Sequence, residues 1–165
     1  MSHGTMSAVL LAALLAGPAA AQEGQEAVPL SLERELAVAA PPAEVWSRIG
    51  DPCDIADWLP SVESCEVTQA DGVTERVMNG GAVVERFTDI DDAGFRHDYV
   101  MTAGPLAAMD YRGTLWVEPG ADGGSVVHWR DRVTVPPAQE AAMRAAVGGL
   151  LDAGMAGIED LLAAE

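Results

Sequence analysis

Residues 136–165 read PPAQEAAMRAAVGGLLDAGMAGIEDLLAAE, and the rest of the chain is organised around them. Apolar side chains fall at Met143, Val147, Leu150, Ile158 and Leu161, with Gly154 on the same line. Steps of three and four put these positions on one face of a helix. Pro136 and Pro137 mark its start, because proline fits a first helical turn and not a helix interior. Gly148, Gly149, Gly154 and Gly157 lie inside the helix, each at a cost of about 1 kcal/mol relative to alanine. A helix carrying that cost is kinked or packs closely on a neighbour. Two readings of the small residues stay open: close packing on a sheet, or room for a ligand between sheet and helix.

The 165 residues suffice for one domain with a real core, and a hydrophobic content of 49% marks a globular chain. Net charge is −17, from 26 acids against 9 bases, and every base is arginine. Such a surface repels nucleic acid and anionic lipid head groups, which leaves neither as a partner. Upstream, MSHGTMSAVLLAALLAGPAAAQ has an apolar run, Ala8 to Ala16, too short to span a bilayer. Ala19, Ala20 and Ala21 follow as a small-residue cleavage pattern, so residues 1–21 are expected to be a secretory signal peptide and the mature protein periplasmic or secreted. The segment departs from that pattern in having only His3 and the amino terminus as cationic groups, and Met6 is an alternative start. Residues 22–29 read as a flexible tail and 30–165 as a single domain. Cys53 and Cys65 stand twelve residues apart, a spacing that fits neither a zinc pair nor a redox CxxC. In an exported chain they are candidates for one disulfide, worth about 3 kcal/mol by loop entropy; two separate thiols is the other reading.

From Leu30 to Ala39 the chain alternates with strand period, and Pro41-Pro42 open a helix over 43–49 with Val45, Trp46 and Ile49 on its apolar side. A second short helix over 54–59 stops at Pro60. Strands are expected over 62–69, 74–78, 82–90, 95–103, 109–118 and 125–135, broken by turns such as Asp71-Gly72, Asn79-Gly80-Gly81 and Gly104-Pro105. The order is one strand, two helices, six strands and a long helix. Short turns make the sheet an antiparallel meander, and the last helix buries its apolar face against it. The fold class is α+β.

Three stretches resemble the START/Bet v 1 superfamily, also called the SRPBCC or polyketide cyclase/dehydrase-like family. They are Ala37 to Trp46 (AVAAPPAEVW) with Asp51 and Trp58-Leu59-Pro60, then Val84 to Phe87 with Asp91-Asp92, then Ser125 to Trp129 running into Pro136 and the long helix. The resemblance covers nearly all of the mature chain. It implies a helix-grip fold, with a seven-stranded curved antiparallel sheet wrapped around the C-terminal helix and an apolar cavity between them. Glu85, Tyr99, Met101, Tyr111, Gly113 and Trp129 match cavity-lining positions of the plant abscisic acid receptor branch, as do Leu150 and Gly154 on the helix. Leu106, Ala107 and Ala108 match the receptors' gate loop. That loop's histidine–arginine pair is absent here, Glu63 replaces the lysine that meets a ligand carboxylate, and the loop between Met78 and Ala82 is short. An abscisic acid-type ligand is therefore not expected. The superfamily also includes exported bacterial proteins of unknown ligand, some encoded with methanol oxidation systems.

Strand alternation puts Val83, Glu85 and Phe87 on one face, joined by Phe95, His97, Tyr99 and Met101. Met109, Tyr111, Gly113 and Leu115 share it, as do Val127, Trp129, Asp131 and Val133. Glu85, His97 and Asp131 thus sit in an apolar wall, where an unpaired ionisable group is costly. Three roles compete for them. They orient the polar end of an apolar ligand; or Glu85, or Asp131 with His97, acts as general acid and base, with Tyr99 or Tyr111 as donor; or they are structural, Glu85 pairing with an arginine or all three sitting at the wet rim of the cavity. A single inward histidine and the lack of HExxH spacing argue against a metal, and no nucleophile or dinucleotide motif points to a cofactor. His128 has outward parity. So do Arg112, Arg130, Arg132 and Trp116, which form either a cation–π patch or a solvated face balanced by acids.

The reading these features favour is an exported protein that binds a small hydrophobic molecule, polyketide-, lipid- or aromatic-like, between sheet and C-terminal helix. One alternative is a cofactor-independent enzyme of the cyclase/dehydrase kind. A second is an accessory interaction protein, its acidic surface meeting a periplasmic oxidoreductase.

Overall fold

A computed structural model describes residues 26–164 of the chain. The expected signal peptide and residues 22–25 of the expected tail lie outside the described residues. Seven strands and three helices follow in the expected order. Strand β1 is Val28–Val38, so Val28 and Pro29 of the expected tail already belong to it. Helix α1 (Pro42–Ile49) starts on a proline at its first turn and buries Val45, Trp46 and Ile49; Glu44 and Arg48 sit at the ends that suit their charge. Helix α2 is the single turn Ile55–Trp58.

Strands β2 (Cys65–Ala70), β3 (Val73–Met78), β4 (Val83–Asp91), β5 (Arg96–Ala103), β6 (Arg112–Pro119) and β7 (Ser125–Val135) complete one antiparallel sheet. Its spatial order is β1-β7-β6-β5-β4-β3-β2, so only the β1–β7 pairing joins strands distant in sequence. Asp71 and Gly72, both at positive φ, make the β2–β3 hairpin turn that Asp-Gly favours.

Two strand starts fall three residues later than expected. β2 begins at Cys65 and not at Val62, because the Asn79 side chain holds the preceding segment in a bend. Its Oδ1 accepts the Glu63 amide at 2.8 Å and its Nδ2 donates to the Ser61 carbonyl at 2.9 Å. The Cys53–Cys65 disulfide ties the same segment to the loop before α2. Likewise β6 starts at Arg112: Ala107–Met109 form a 3-10 turn and Asp110 is left-handed, at φ 50°. Met109 therefore leaves the wall that strand parity assigned to it.

The long helix α3 runs over Glu140–Ala163; Pro137–Gln139 form a 3-10 turn ahead of it, so the helix starts later than the two prolines suggested. Its buried positions are Val147, Gly148, Leu151, Gly154, Met155 and Ile158. Compared with the expected stripe, Leu151 and Met155 are added, while Leu150 moves to the margin and is half-buried. Close packing explains two of the four glycines. A Cβ on Gly154 would stand 2.2 Å from the Trp129 ring, and one on Gly157 would stand 1.7 Å from the Trp58 carbonyl oxygen. Trp58 and Trp129 meet edge to face at 5.3 Å, and this pair locks α2, β7 and α3 into one core.

Candidate functional site

A cavity of about 300 Å³ opens between α2, α3 and the sheet strands β3, β4, β5 and β7. Ile55, Leu59, Val62, Met78, Val83, Met101, Leu106 and Leu150 make most of its wall apolar. Ser61, Asn79 and Pro105, all exposed, mark its mouth. Four polar or aromatic side chains reach the interior: Arg76, Glu85, Tyr111 and Trp129.

Of the positions expected to meet a ligand, Glu85, Met101, Tyr111, Trp129 and Leu150 line the cavity. Tyr99, Gly113 and Gly154 stand behind the lining, and Leu106 alone of the gate-loop trio reaches it. Gly113 has a clear task. It faces Tyr99 across β5 and β6, and a Cβ there would fall 2.2 Å from the tyrosine ring. Its absence lets the ring lie flat over β6, so that the Tyr99 hydroxyl accepts the Trp129 indole N–H at 2.8 Å.

Arg76 was not among the expected site residues, although Thr74, Arg76 and Met78 alternate along β3 and that parity faces it inward. It lies directly opposite Glu85 in the β3–β4 register. Its Nε donates to Glu85 Oε2 at 2.6 Å, with both side chains about 95% buried. The guanidinium also lies 4.4 Å from the Tyr99 ring centre and 5.3 Å from that of Phe87, and donates to the Pro52 carbonyl at 3.3 Å. Burial works against its charge, but Glu85 and the neighbouring tyrosines outweigh this and raise its pKa. Glu85 therefore enters the site as half of a closed ion pair.

Asp131 lies opposite Gly113 on the neighbouring strand and is completely buried. Neither carboxyl oxygen meets hydrogen-bond geometry with a neighbour. Burial pushes its pKa up to about 7; the Glu85 charge adds to the shift, while the nearby Tyr111 and Trp129 donors and Arg76 oppose it. Burial likewise raises the Tyr99 and Tyr111 hydroxyls above their ordinary value, so both are neutral donors.

His97 does not join this group. It packs against Trp46 at 4.7 Å and Phe87 at 5.2 Å, on the α1 side of the sheet, with Asp92 4.0 Å from its Nε2. Burial and the Arg76 charge lower its pKa to about 4. Shared parity placed it on the inner face correctly, but the cavity occupies the other end of that face. A pairing of His97 with Asp131 is therefore not formed. What the site holds at neutral pH is a neutralised Arg76–Glu85 pair, two phenol donors and one carboxyl near its midpoint, all beneath an apolar chamber.

A seven-stranded antiparallel sheet gripping a C-terminal helix over such a chamber defines a Bet v 1-like helix-grip protein. The family model for polyketide cyclase/dehydrase and lipid transport matches residues 29–163, and the chain belongs to that family. A solution structure from Thermobifida fusca is 29% identical, with a TM-score of 0.70 over 78% of this chain and 89% of its own. XoxI from Bacillus cereus is 22% identical, with a TM-score of 0.67 over 79% of this chain and 93% of its own. Norcoclaurine synthase from Thalictrum flavum, solved with dopamine and hydroxybenzaldehyde, is 20% identical, with a TM-score of 0.61 and 96% coverage of both chains. The last two likenesses concern the fold alone. Comparison with curated proteins gives no match.

Proposed function

We infer that the chain is an exported binding protein for one small hydrophobic molecule, held between sheet and α3. The observation that carries this is the largely apolar chamber of about 300 Å³, at the lower end of ligand-site volumes, whose one buried cation is already neutralised by Glu85. With that charge cancelled, the site offers apolar contact plus the Tyr111 hydroxyl as an orienting donor. Export is supported by the Cys53–Cys65 disulfide, a bond that persists in oxidising compartments, together with the apolar run and small-residue pattern of residues 8–21. Protein recovered from its own periplasm would then begin at Gln22 by intact mass.

Native mass spectrometry of that material, followed by extraction of whatever is bound, tests the reading. Leu150→Trp, at the half-buried margin of the chamber, is expected to exclude the molecule without unfolding the protein. Tyr111→Phe should weaken binding by about tenfold, the worth of one net hydrogen bond. An empty protein, with no thermal shift from a panel of apolar compounds, would refute the carrier reading.

One observation favours a second reading. Asp131 lies fully buried behind the cavity-lining Tyr111, and burial pushes its pKa up to about 7, so any proton it exchanges with a ligand passes through that hydroxyl. A cyclase- or dehydrase-like activity would show a pH–rate inflection near 7 that vanishes in Asp131→Asn.

A further inference from the structure

The face of the sheet away from the cavity carries a second cluster. Val127 and Trp129 point inward from β7, so His128 points outward, opposite Glu35 on β1 and Trp116 on β6. It is nevertheless only 8% exposed, and neither ring nitrogen has a hydrogen-bond partner. Sequence parity alone predicted an outward-facing histidine.

The surroundings are specific. Glu33 Oε1 lies 3.5 Å and Glu35 Oε1 3.4 Å from His128 Nδ1. One ligand atom from each of the three residues falls within 4.8 Å of the others. Two ligands about 2.1 Å from a tetrahedral centre stand about 3.4 Å apart, which is the separation Nδ1 keeps from both carboxylates. The supporting groups also fit. Glu33 Oε2 is held by Arg130 Nε at 2.6 Å, which leaves Oε1 turned to the histidine. The imidazole stacks on Trp116 at 4.5 Å with ring planes 3° apart, so its plane is fixed. On the far side Glu118 Oε2 lies 3.5 Å from Nε2, while the Trp116 indole N–H holds Glu118 Oε1 at 3.2 Å. A carboxylate behind the second imidazole nitrogen is the outer-shell arrangement that orients metal-ligating histidines and sets their tautomer.

We propose that Glu33, Glu35 and His128 form a binding site for a first-row transition dication of the Zn²⁺ class, with Glu118 as the carboxylate behind the histidine. One imidazole with two carboxylates suits that class better than Mg²⁺ or Ca²⁺, which prefer oxygen ligands alone. The ion would bridge β1 to β7, the one pairing between strands distant in sequence, and would offset two of the chain's clustered negative charges. Solvent would complete the coordination above Glu35, whose side chain is 64% exposed.

The test uses the full chain, stripped with a chelator and titrated with Zn²⁺ by calorimetry, with thermal unfolding alongside. One saturable equivalent is expected, with a raised Tm that Mg²⁺ at matched ionic strength does not reproduce. Glu35→Gln, a surface change with little bearing on folding, should weaken Zn²⁺ at least about tenfold, and His128→Gln likewise. Glu66→Gln, on the exposed far edge strand, should leave the affinity unchanged. Absence of saturable binding would overturn the site, and so would wild-type affinity in Glu35→Gln or an equal Mg²⁺ effect.

Discussion

Asp131→Asn should make the protein more stable, by an amount that grows from near zero at pH 4 to its full size above about pH 7. In the fold the Asp131 carboxyl keeps its proton up to about pH 7, whereas its ordinary value, and hence that of the unfolded chain, is 3.8. Between those two values the unfolded chain binds fewer protons, so rising pH favours unfolding. The stability tied to the neutral acid is complete below pH 3.8 and is lost as pH climbs to about 7. At about 1.36 kcal/mol per pH unit, that span amounts to roughly 4 kcal/mol. Asparagine mimics the protonated acid in shape and carries no charge at any pH. His97 works in the opposite sense, because its pKa is about 4 in the fold against 6.5 ordinarily. Its contribution is complete above 6.5 and is lost as pH falls toward 4. In the wild type these opposed slopes largely cancel between pH 4 and 6.5. Denaturant unfolding of both proteins from pH 4 to 8 reads out the difference. The variant's advantage should start near zero at pH 4 and reach several kcal/mol by pH 8, exposing the His97 slope on the way. Parallel profiles for the two proteins would refute the buried, unpartnered state of Asp131.

Two further perturbations probe the packing and the ion pair. Gly149→Ala, on the exposed side of α3 with nothing within 4 Å of the new Cβ, should stabilise by about 1 kcal/mol, while Gly154→Ala should destabilise by roughly 1–3 kcal/mol through the Trp129 ring; Tm values check both. Arg76→Met should cost about 3–5 kcal/mol by stranding Glu85, and a second change, Glu85→Met, should recover most of it in denaturant unfolding. The single variant should also shift the His97 titration upward by NMR, since the Arg76 charge helps hold that pKa down.

Much of the fold was legible along the chain. Alternation in Val127, Trp129, Asp131 and Val133 named the inner face of β7, and all four are buried. Asp71-Gly72 and the other turn dipeptides placed the hairpins. Less was legible in the site. Glu85, Met101, Tyr111, Trp129 and Leu150 were identified as lining through a resemblance, not by period alone. Arg76 was available from the alternation in β3, yet an arginine in a strand is ordinarily a surface residue, and only the cross-strand partner Glu85 makes its burial tolerable. His97 and Asp131 share a face and do not meet, because parity records which side a residue faces and not which end of a sheet it occupies. Met109 left its strand because Asp110 turns the chain in a left-handed step.

What the sequence by itself determined is everything with a local period or a local stop: strand faces, the long helix, the hairpin turns and the net charge of −17. Tertiary structure decided the rest. It paired Arg76 with Glu85, left Asp131 without a partner, chose Leu151 over Leu150 for the core, and gathered Glu33, Glu35 and His128 from strands almost a hundred positions apart. The reason is physical. Backbone periodicity acts over a few residues, whereas the energy of a buried charge depends on what the register of distant strands brings within 4 Å of it.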